Sequence, residues 1–257
     1  MAPRPPIPSV SLFPPDFETS TVPVSPTPSK FPELITLSHT TNRISLVPLA
    51  ASHIPTLFTH VGGPEKYLLY KYMPCGPFPT LQEFTAHIEW LIQPGSGFVN
   101  WAIVLPSGDP VGIISYLNIV PENHSIEIGH VLFSPVLQRT TEATEACWLL
   151  MRYAFELGFE RVEWKCNDEN KGSRRAAERL GFTGEGVFRR HMVVRGRRRD
   201  SWWGSVVVEE WVVVRKALEG WLSEGNFDAE GKQKRKVEEI RKEVEGLERE
   251  KEKGIGS

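Results

Sequence analysis

The order of strand-like and helix-like segments in the middle of the chain most restricts what it can fold into. Three apolar segments, 98–105, 111–119 and 125–133, are separated by short turn-forming stretches, which predicts an antiparallel meander. Residues 143–154 follow with apolar positions spaced three and one apart, as in an amphipathic helix, and a further strand is predicted at 161–166. A meander followed by a helical crossover predicts a mixed sheet with helices on its faces.

Other segments extend this core on both sides and bring the predicted sheet to about seven strands, in an α/β (α+β) domain. These flanking segments are predicted from the same periodicity and turn residues. They are a strand at 43–48, helices at 51–61, 80–92 and 173–180, and a closing hairpin with strands at 186–194 and 201–214.

Composition changes at both ends of the chain. Residues 1–32 are rich in proline, serine and threonine, which predicts a disordered leader, a docking segment being the alternative. Residues 33–216 are predicted to form the one folded domain. In 217–257 lysine, arginine and glutamate dominate, and an apolar seam of only two heptads predicts a solvated helix. A dimerisation or docking helix is the alternative for that segment.

Charge and hydropathy exclude several classes of protein. The formal net charge of -2 disfavours a nucleic acid or an anionic membrane as a partner. No apolar run approaches the roughly 20 residues needed to span a bilayer, and the start lacks the apolar centre of a secretory signal. We therefore expect a soluble cytoplasmic protein, a monomer or a homodimer. The 3 cysteines lack metal-site spacing, so we expect reduced thiols and no metal.

The most specific motif lies where the predicted strand at 161–166 meets the next helix. A polar segment opens that helix, and free N–H groups at a helix start suit an anionic or thiol-bearing ligand. The motif resembles the second cofactor-contacting motif of the GNAT superfamily of N-acetyltransferases, in its RimJ/RimL-type branch. The residues that carry the resemblance are Asn170-Lys171-Gly172-Ser173, Gly181-Phe182 and Glu185-Gly186.

This resemblance implies a GNAT-like fold whose sheet opens between the predicted fourth and fifth strands. It also implies acetyl-CoA as co-substrate and a primary amine, on a small molecule or a protein N-terminus, as acceptor. By the same resemblance Asn170 contacts the pantetheine arm of the coenzyme. Ser173 then lies near the coenzyme thiolate, where a hydroxyl would stabilise the departing sulfur. Ordinary helix capping is the alternative for both residues.

The stretch that joins strand 125–133 to the long helix resembles the GNAT pyrophosphate loop. Gln138 and Ala143 match the usual pattern, whereas Thr141 stands where the central glycine is expected. Main-chain amides at a helix start can hold a diphosphate without a charged side chain, although a turn capped by Thr140 or Thr141 fits equally. The predicted coenzyme contacts, besides Asn170 and Ser173, are Leu132, Phe133, Gln138, Arg139, Thr140, Thr141, Glu142, Ala143 and Thr144.

Glu127, on the strand before this loop, is the predicted general base, with pairing to a neighbouring cation as the alternative. His130 and His191 are weaker candidates. For the acceptor pocket, the segment 72–78 resembles the family's Tyr-x-Pro-x-Gly-Pro-Phe loop, which otherwise only fixes the entry of the next helix. The predicted substrate-binding residues are Tyr72, Phe78, Tyr116 and Trp164, the last two fitting a core position as well.

Two functions of other classes stay open. A degenerate, non-catalytic domain of the same fold would explain the missing glycine at Thr141. A binding protein for RNA or ribosomes would use the arginines in the turn 195–200. Contact with the coenzyme 3′-phosphate, contact with an acidic acceptor and a solvated turn are the alternatives for these arginines.

Overall fold

The computed structural model describes residues 24–255, and an eight-stranded mixed sheet forms its centre. The strands are β1 (Leu37–Ser38), β2 (Ser45–Pro48), β3 (Val99–Val104), β4 (Pro110–Val120), β5 (Ser125–Phe133), β6 (Arg161–Asn167), β7 (Thr183–Val194) and β8 (Arg197–Val207). The helices are α1 (Ile54–Val61), α2 (Leu81–Ile92), α3 (Thr141–Glu156), α4 (Lys171–Leu180), α5 (Val208–Leu222) and α6 (Val237–Ile255). Residues 1–23 of the predicted leader lie outside the described residues, whereas Ser29, within the same leader, is buried and donates to the carbonyl of Gly158 at 2.8 Å.

The sheet has the strand order β1-β2-β3-β4-β5-β6-β8-β7. All neighbouring strands are antiparallel except β5 and β6, which α3 connects as a parallel pair. The predicted mixed, mostly antiparallel sheet is therefore confirmed. The strand beyond the seven predicted is β1, whose two residues pair with Leu46 and Ser45 of β2.

Each face of the sheet carries its own apolar core. On one face α3, α4 and α5 bury the larger cluster, which includes the fully buried Trp101 and Trp148. On the other face α1 and α2 bury a smaller cluster around Leu57, Phe84 and Ile88. None of the helices in residues 24–255 combines the length and the apolarity that a bilayer crossing requires.

The predicted strand 201–214 is wrong beyond Val207, where α5 begins. A short apolar run fits a buried strand or a buried helix equally well, so its periodicity could not decide. The structure shows what does: the Glu210 carboxylate accepts the N–H of Val207 at 3.1 Å and so fixes the first turn of α5. Trp211, Val214 and Leu218 then share the buried side of that helix.

The solvated helix predicted near the C-terminus is also wrong, because α6 packs on the domain. Val237 is 0% and Ile240 8% exposed, and both belong to the larger core. An ion pair between Lys216 of α5 and Glu248 of α6 adds to the contact at 2.9 Å. Val237 and Ile240 suffice for this packing because α5 supplies the partner surface, whereas Leu247 is 50% exposed. The division of the chain at residues 32 and 216 stays a prediction.

Candidate active site

β5 and β6 separate toward their carboxyl ends and leave an opening in the sheet. Their parallel pairing ends at Ile128 and Trp164, although β5 continues to Phe133. A β-bulge follows at once in β5, where His130 has a φ of 48°. The strands diverge beyond this point, and α3 and α4 begin beside the gap. The predicted opening between the fourth and fifth strands corresponds to this one, since those strands are β5 and β6.

The start of α3 presents main-chain N–H groups without partners. Thr140 caps the helix, because its Oγ1 accepts the N–H of Ala143 at 3.2 Å and donates to the carbonyl of Leu137 at 2.7 Å. The N–H groups of residues 139–142 donate to no acceptor among the described residues. Gln138 shapes the loop by donating to the carbonyl of Phe133 at 3.0 Å. Free amides at the positive end of a helix form a site for a phosphate group.

The glycine that the family pattern places at 141 is not needed for the backbone seen here. Thr141 is the first residue of α3 and has no positive φ. The left-handed residue of the loop is Arg139, with a φ of 63°. Because the unusual backbone lies two residues before the substituted position, threonine at 141 adds no strain.

At the start of α4, Asn170 caps the helix and Ser173 faces the neighbouring strand. The Asn170 Oδ1 accepts the N–H of Ser173 at 3.1 Å, while its side-chain NH₂ donates to no described residue. The Ser173 Oγ accepts from the Trp164 indole at 3.0 Å, so its own proton stays available. Burial raises the pKa of the Cys166 thiol, and a hydrogen bond with Ser173 opposes that rise.

Glu127 lies on the sheet face opposite α3 and is 4% exposed. Its Oε2 accepts from Lys165 Nζ and from Asn118 Nδ2, each at 2.6 Å, so the pairing alternative is present. Its Oε1 accepts from no described residue. Burial raises the pKa of the Glu127 carboxyl, although Lys165 opposes that rise. A side chain at Gly129 would bring a Cβ within 3.3 Å of Oε1, so the glycine keeps that oxygen open.

The loop between α1 and α2 contacts the bulge of β5 through Cys75 and His130 and is tied to the β7–β8 turn. One nitrogen, Nη2 of Arg195, donates to four of its carbonyl oxygens at 2.9 to 3.1 Å. Tyr72 is half-buried and lines a cavity between this loop and the turn. Phe78 stacks on His87 of α2 at 4.5 Å between ring centroids. The arginine turn, open in the sequence between solvent and a ligand, is thus partly bound to protein.

Two histidines and a cysteine meet beside the bulge of β5. His130 Nε2 lies 3.3 Å from His87 Nε2 and 3.7 Å from Cys75 Sγ. Burial lowers the pKa of His130 to about 3 and that of His87 to about 4. Burial also raises the pKa of Cys75 to about 11. All three groups are therefore neutral near pH 7, and the wall they form is uncharged.

The structure does not bring every predicted residue to the opening. Tyr116 is fully buried and donates to the carbonyl of Leu150, so its place in the substrate pocket is wrong. Trp164 is 5% exposed and supports Ser173 from beneath. The side chain of Leu132 belongs to the core under α1 and α2, which leaves only its main chain for contact. Thr144 is buried and its Oγ1 accepts from Arg179 at 3.0 Å.

Lys165 and Asn118 are the site residues that the sequence did not single out. In β6, polar residues alternate with the buried Val162, Trp164 and Cys166, and this alternation predicts that Lys165 lies on the opposite face of the strand from them. Its pairing with Glu127 depends on the parallel register of β5 and β6, which no local pattern contains. Asn118 reaches Glu127 because a second bulge gives it a φ of 47°.

Comparison with known proteins finds similarity to one protein family. Residues 43–183 match the family described as acetyltransferase (GNAT) domain. A crystal structure of a GCN5-related N-acetyltransferase from Brucella melitensis is 37% identical with a TM-score of 0.80, over 84% of this chain and 98% of that chain. The N-acetyltransferase YnaD of Bacillus subtilis (strain 168) is 29% identical over 143 residues, 55% of this chain and 81% of that protein.

A more distant likeness concerns the fold alone. RimL, a ribosomal L7/L12 alpha-N-protein acetyltransferase, is 20% identical with a TM-score of 0.59, over 68% of this chain and 94% of that chain.

Proposed function

The chain belongs to the acetyltransferase (GNAT) family, and from that premise we propose that it transfers acetyl from acetyl-CoA to a primary amine by direct attack in a ternary complex. The acceptor is a small molecule or a protein N-terminus. The observation that carries the proposal is the set of free amides at residues 139–142, beside an opening that also holds Ser173. We further propose that the protein acts in the cytoplasm, as a monomer or a homodimer.

The coenzyme site is proposed from main-chain groups. The amides at the start of α3 would hold the diphosphate of acetyl-CoA, and the NH₂ of Asn170 the pantetheine arm. The bound coenzyme supplies the thioester. Orientation of the two substrates lowers the barrier without a covalent enzyme intermediate.

Two side chains have proposed roles in the reaction. As the amine nitrogen bonds to the acetyl carbon and the carbon–sulfur bond breaks, Ser173 donates a hydrogen bond to the departing thiolate. The proton of the ammonium passes to Glu127 Oε1, directly or through water. The raised pKa of Glu127 makes it a stronger base than an exposed carboxylate, which suits this role.

Neither rival function gains an observation in its favour. The non-catalytic alternative depended on the missing glycine, yet Thr141 has ordinary helical geometry at the first position of α3. The RNA-binding alternative depended on a free arginine turn, yet Arg195 is bound to carbonyl oxygens of the α1–α2 loop, while Arg197 and Arg198 stay exposed.

Replacement of Thr141 by proline tests the coenzyme site by removing one N–H. Proline is well tolerated at the first helical position, and Thr140 before it is extended with a ψ of 169°. A hydrogen bond to a charged group contributes ~1.5–3 kcal/mol, so we expect coenzyme A to bind ~10-fold more weakly or worse. The matched control Thr141→Ala keeps the N–H. Equal affinities for both variants by calorimetry would contradict the proposed diphosphate site.

Turnover is tested separately with a panel of primary amines and detection of the free thiol. We expect thiol release that requires both acetyl-CoA and an amine. Coenzyme binding without thiol release in the presence of any amine would support the proposed coenzyme site and contradict the proposed transferase activity.

A further inference from the structure

A cavity of about 1010 Å³ lies between the α1–α2 loop and the β7–β8 hairpin, at the carboxyl end of β6. It reaches Asn167 and Asp168, the residues just before the cap of α4. Its lining holds six arginines and one lysine against three carboxylates, an excess of positive charge. The arginines are Arg189, Arg190, Arg195, Arg197, Arg198 and Arg199.

None of these six arginines forms an ion pair with a described residue, as the ion pairs of residues 24–255 lie elsewhere. Arg195 is engaged with main-chain carbonyls and builds the wall of the cavity. Of the carboxylates, Asp200 accepts the N–H of Arg190 at 2.6 Å. The three carboxylates of the lining therefore leave the cavity with a net positive charge.

Arg199 is the innermost of these cations. It is 9% exposed, its Nε is buried without a partner, and its guanidinium forms no hydrogen bond with any described residue. It lies four residues before Trp203 on β8, and Lys165 Nζ lies 4.3 Å from the Trp203 ring centroid. Alternation along the strand puts Arg199 on that same face, toward Lys165 and Glu127.

Such a residue is costly to the free protein, because a buried charge without a partner loses its hydration and gains nothing in return. Burial lowers the pKa of Arg199, and Glu127 and Cys166 act on it in the opposite direction. The guanidinium thus lies within electrostatic reach of the proposed base. A ligand that brings an anionic group into the cavity would supply the missing partner.

We propose that the acceptor is a primary amine that also carries a carboxylate, and that Arg199 binds this carboxylate in the cavity. The inference rests on the proposed function and specifies its second substrate. A guanidinium matches a carboxylate with two parallel hydrogen bonds, so binding there would orient the amine toward Glu127. The surrounding cations also lower the pKa of the bound ammonium and favour the neutral amine that attacks.

Two other anions fit the arginines less well. RNA binds to exposed basic surface, which the other five arginines provide, whereas Arg199, the one without a partner in the interior, is buried and the whole chain has a net charge of -2. The diphosphate of the coenzyme has the unpaired amides of 139–142. The carboxylate has two sources, a small amino acid or the side chain of an acidic peptide, and both belong in the test.

The test compares matched amines with the full-length enzyme. One pair is γ-aminobutyrate against n-butylamine, and the other is a peptide beginning Ser-Glu-Glu against one beginning Ser-Gln-Gln. We expect the wild type to prefer the acidic member of at least one pair by tenfold or more in kcat/KM. Arg199→Met should lower that preference at least tenfold, and Arg199→Lys should restore part of it. Arg215→Met, on α5, is the control and should keep the preference.

Stability separates binding from a structural role. Arg199→Met removes an unpaired buried charge, so we expect its melting temperature to equal or exceed that of the wild type. A lower melting temperature with equal losses for acidic and neutral amines would overturn the proposal. So would a tenfold loss of coenzyme A affinity in Arg199→Met, or salt-sensitive RNA binding that this variant abolishes.

The outcome also distinguishes this inference from the proposed function. Thiol release without preference for the acidic amines would overturn the inference about the acceptor but would support the proposed acetyltransferase function. If no amine releases thiol, calorimetry with the acidic and neutral peptides decides. Binding of the acidic peptide that Arg199→Met weakens tenfold supports the carboxylate site, and no binding overturns it.

Discussion

The two sides of the opening in the sheet are built from different groups. The helix-start side, residues 139–142 and 170–173, offers mainly main-chain N–H groups. The side-chain side, formed by Glu127, Lys165 and the arginine cavity, offers ionisable groups brought from distant parts of the chain. Main-chain groups persist when side chains change, so the first side tolerates substitution. The second side depends on the identity of each residue, and it is where we propose that the acceptor is selected.

The largest expected effect tests the side-chain side at Glu127. Glu127→Gln removes the proposed base but keeps an oxygen for Lys165 and Asn118. General-base catalysis contributes ~10²–10⁴-fold, so we expect kcat to fall ~10³-fold with little change in coenzyme A affinity. Steady-state kinetics and calorimetry measure the two quantities. The control is Glu163→Gln, on the same face of β6 as Lys165. If kcat falls less than fivefold in Glu127→Gln, Glu127 is only an ion-pair partner of Lys165.

Ser173 is where the helix-start side also depends on a side chain. Loss of a hydrogen-bond donor to a developing anion costs ~10²–10³ in kcat, so Ser173→Ala should lower kcat ~10²-fold. Its coenzyme affinity should stay within ~3-fold of wild type, because the amides of α3 persist. Single-turnover rates and calorimetry separate these effects. Unchanged turnover would show that the hydroxyl only supports Trp164.

A third prediction concerns the pH dependence of stability on the side-chain side. Burial lowers the pKa of His130 to about 3, below the ~6.5 of an unfolded histidine. The unfolded chain thus binds the proton first, and stability falls as pH drops below ~6.5. The ring is partly exposed, so between pH 7 and 4.5 we expect wild type to lose on the order of 2 kcal/mol more than His130→Asn.

Urea unfolding at the two pH values measures this difference. Asparagine is the matched replacement because it tolerates the positive φ at this position. Parallel losses in both proteins would mean that the histidine is already charged in the folded state.

The smallest expected effect concerns the position where the family pattern has glycine. If main-chain groups dominate the helix-start side, Thr141→Ala changes coenzyme A affinity by less than ~3-fold, no more than the low end of the ~0.5–1.5 kcal/mol of one ordinary hydrogen bond. Calorimetry measures it. A tenfold loss would show that the threonine hydroxyl takes part and that the comparison of the two sides is too simple.

The same contrast explains what the sequence could predict. The helix-start side follows from local signals: Thr140 and Asn170 are capping residues at the ends of strands, and both cap as such residues do. The side-chain side arises from tertiary structure. Lys165 meets Glu127 through a parallel register, and Asn118 through a bulge. The burial of Arg199 depends on a hairpin folded against the loop after α1. None of these contacts has a local pattern.

The elements at the C-terminal end of the chain show a similar limit. The apolar run across Val207 and Val208 fits a strand or a helix, and only the Glu210 contact to Val207 ends the sheet there. The few apolar residues of α6 resemble a solvated helix until α5 provides the surface that buries Val237.

The packing of α6 has a consequence at a distance. Arg241 of α6 donates to the carbonyl oxygens of Glu178 and Arg179, at the end of α4 opposite Ser173. α4 has 10 residues, a rod of about 15 Å, and a rod transmits displacement from one end to the other. We therefore expect α6 to hold α4, and with it Ser173, in position, and we expect detachment of α6 to disturb the proposed site from a distance.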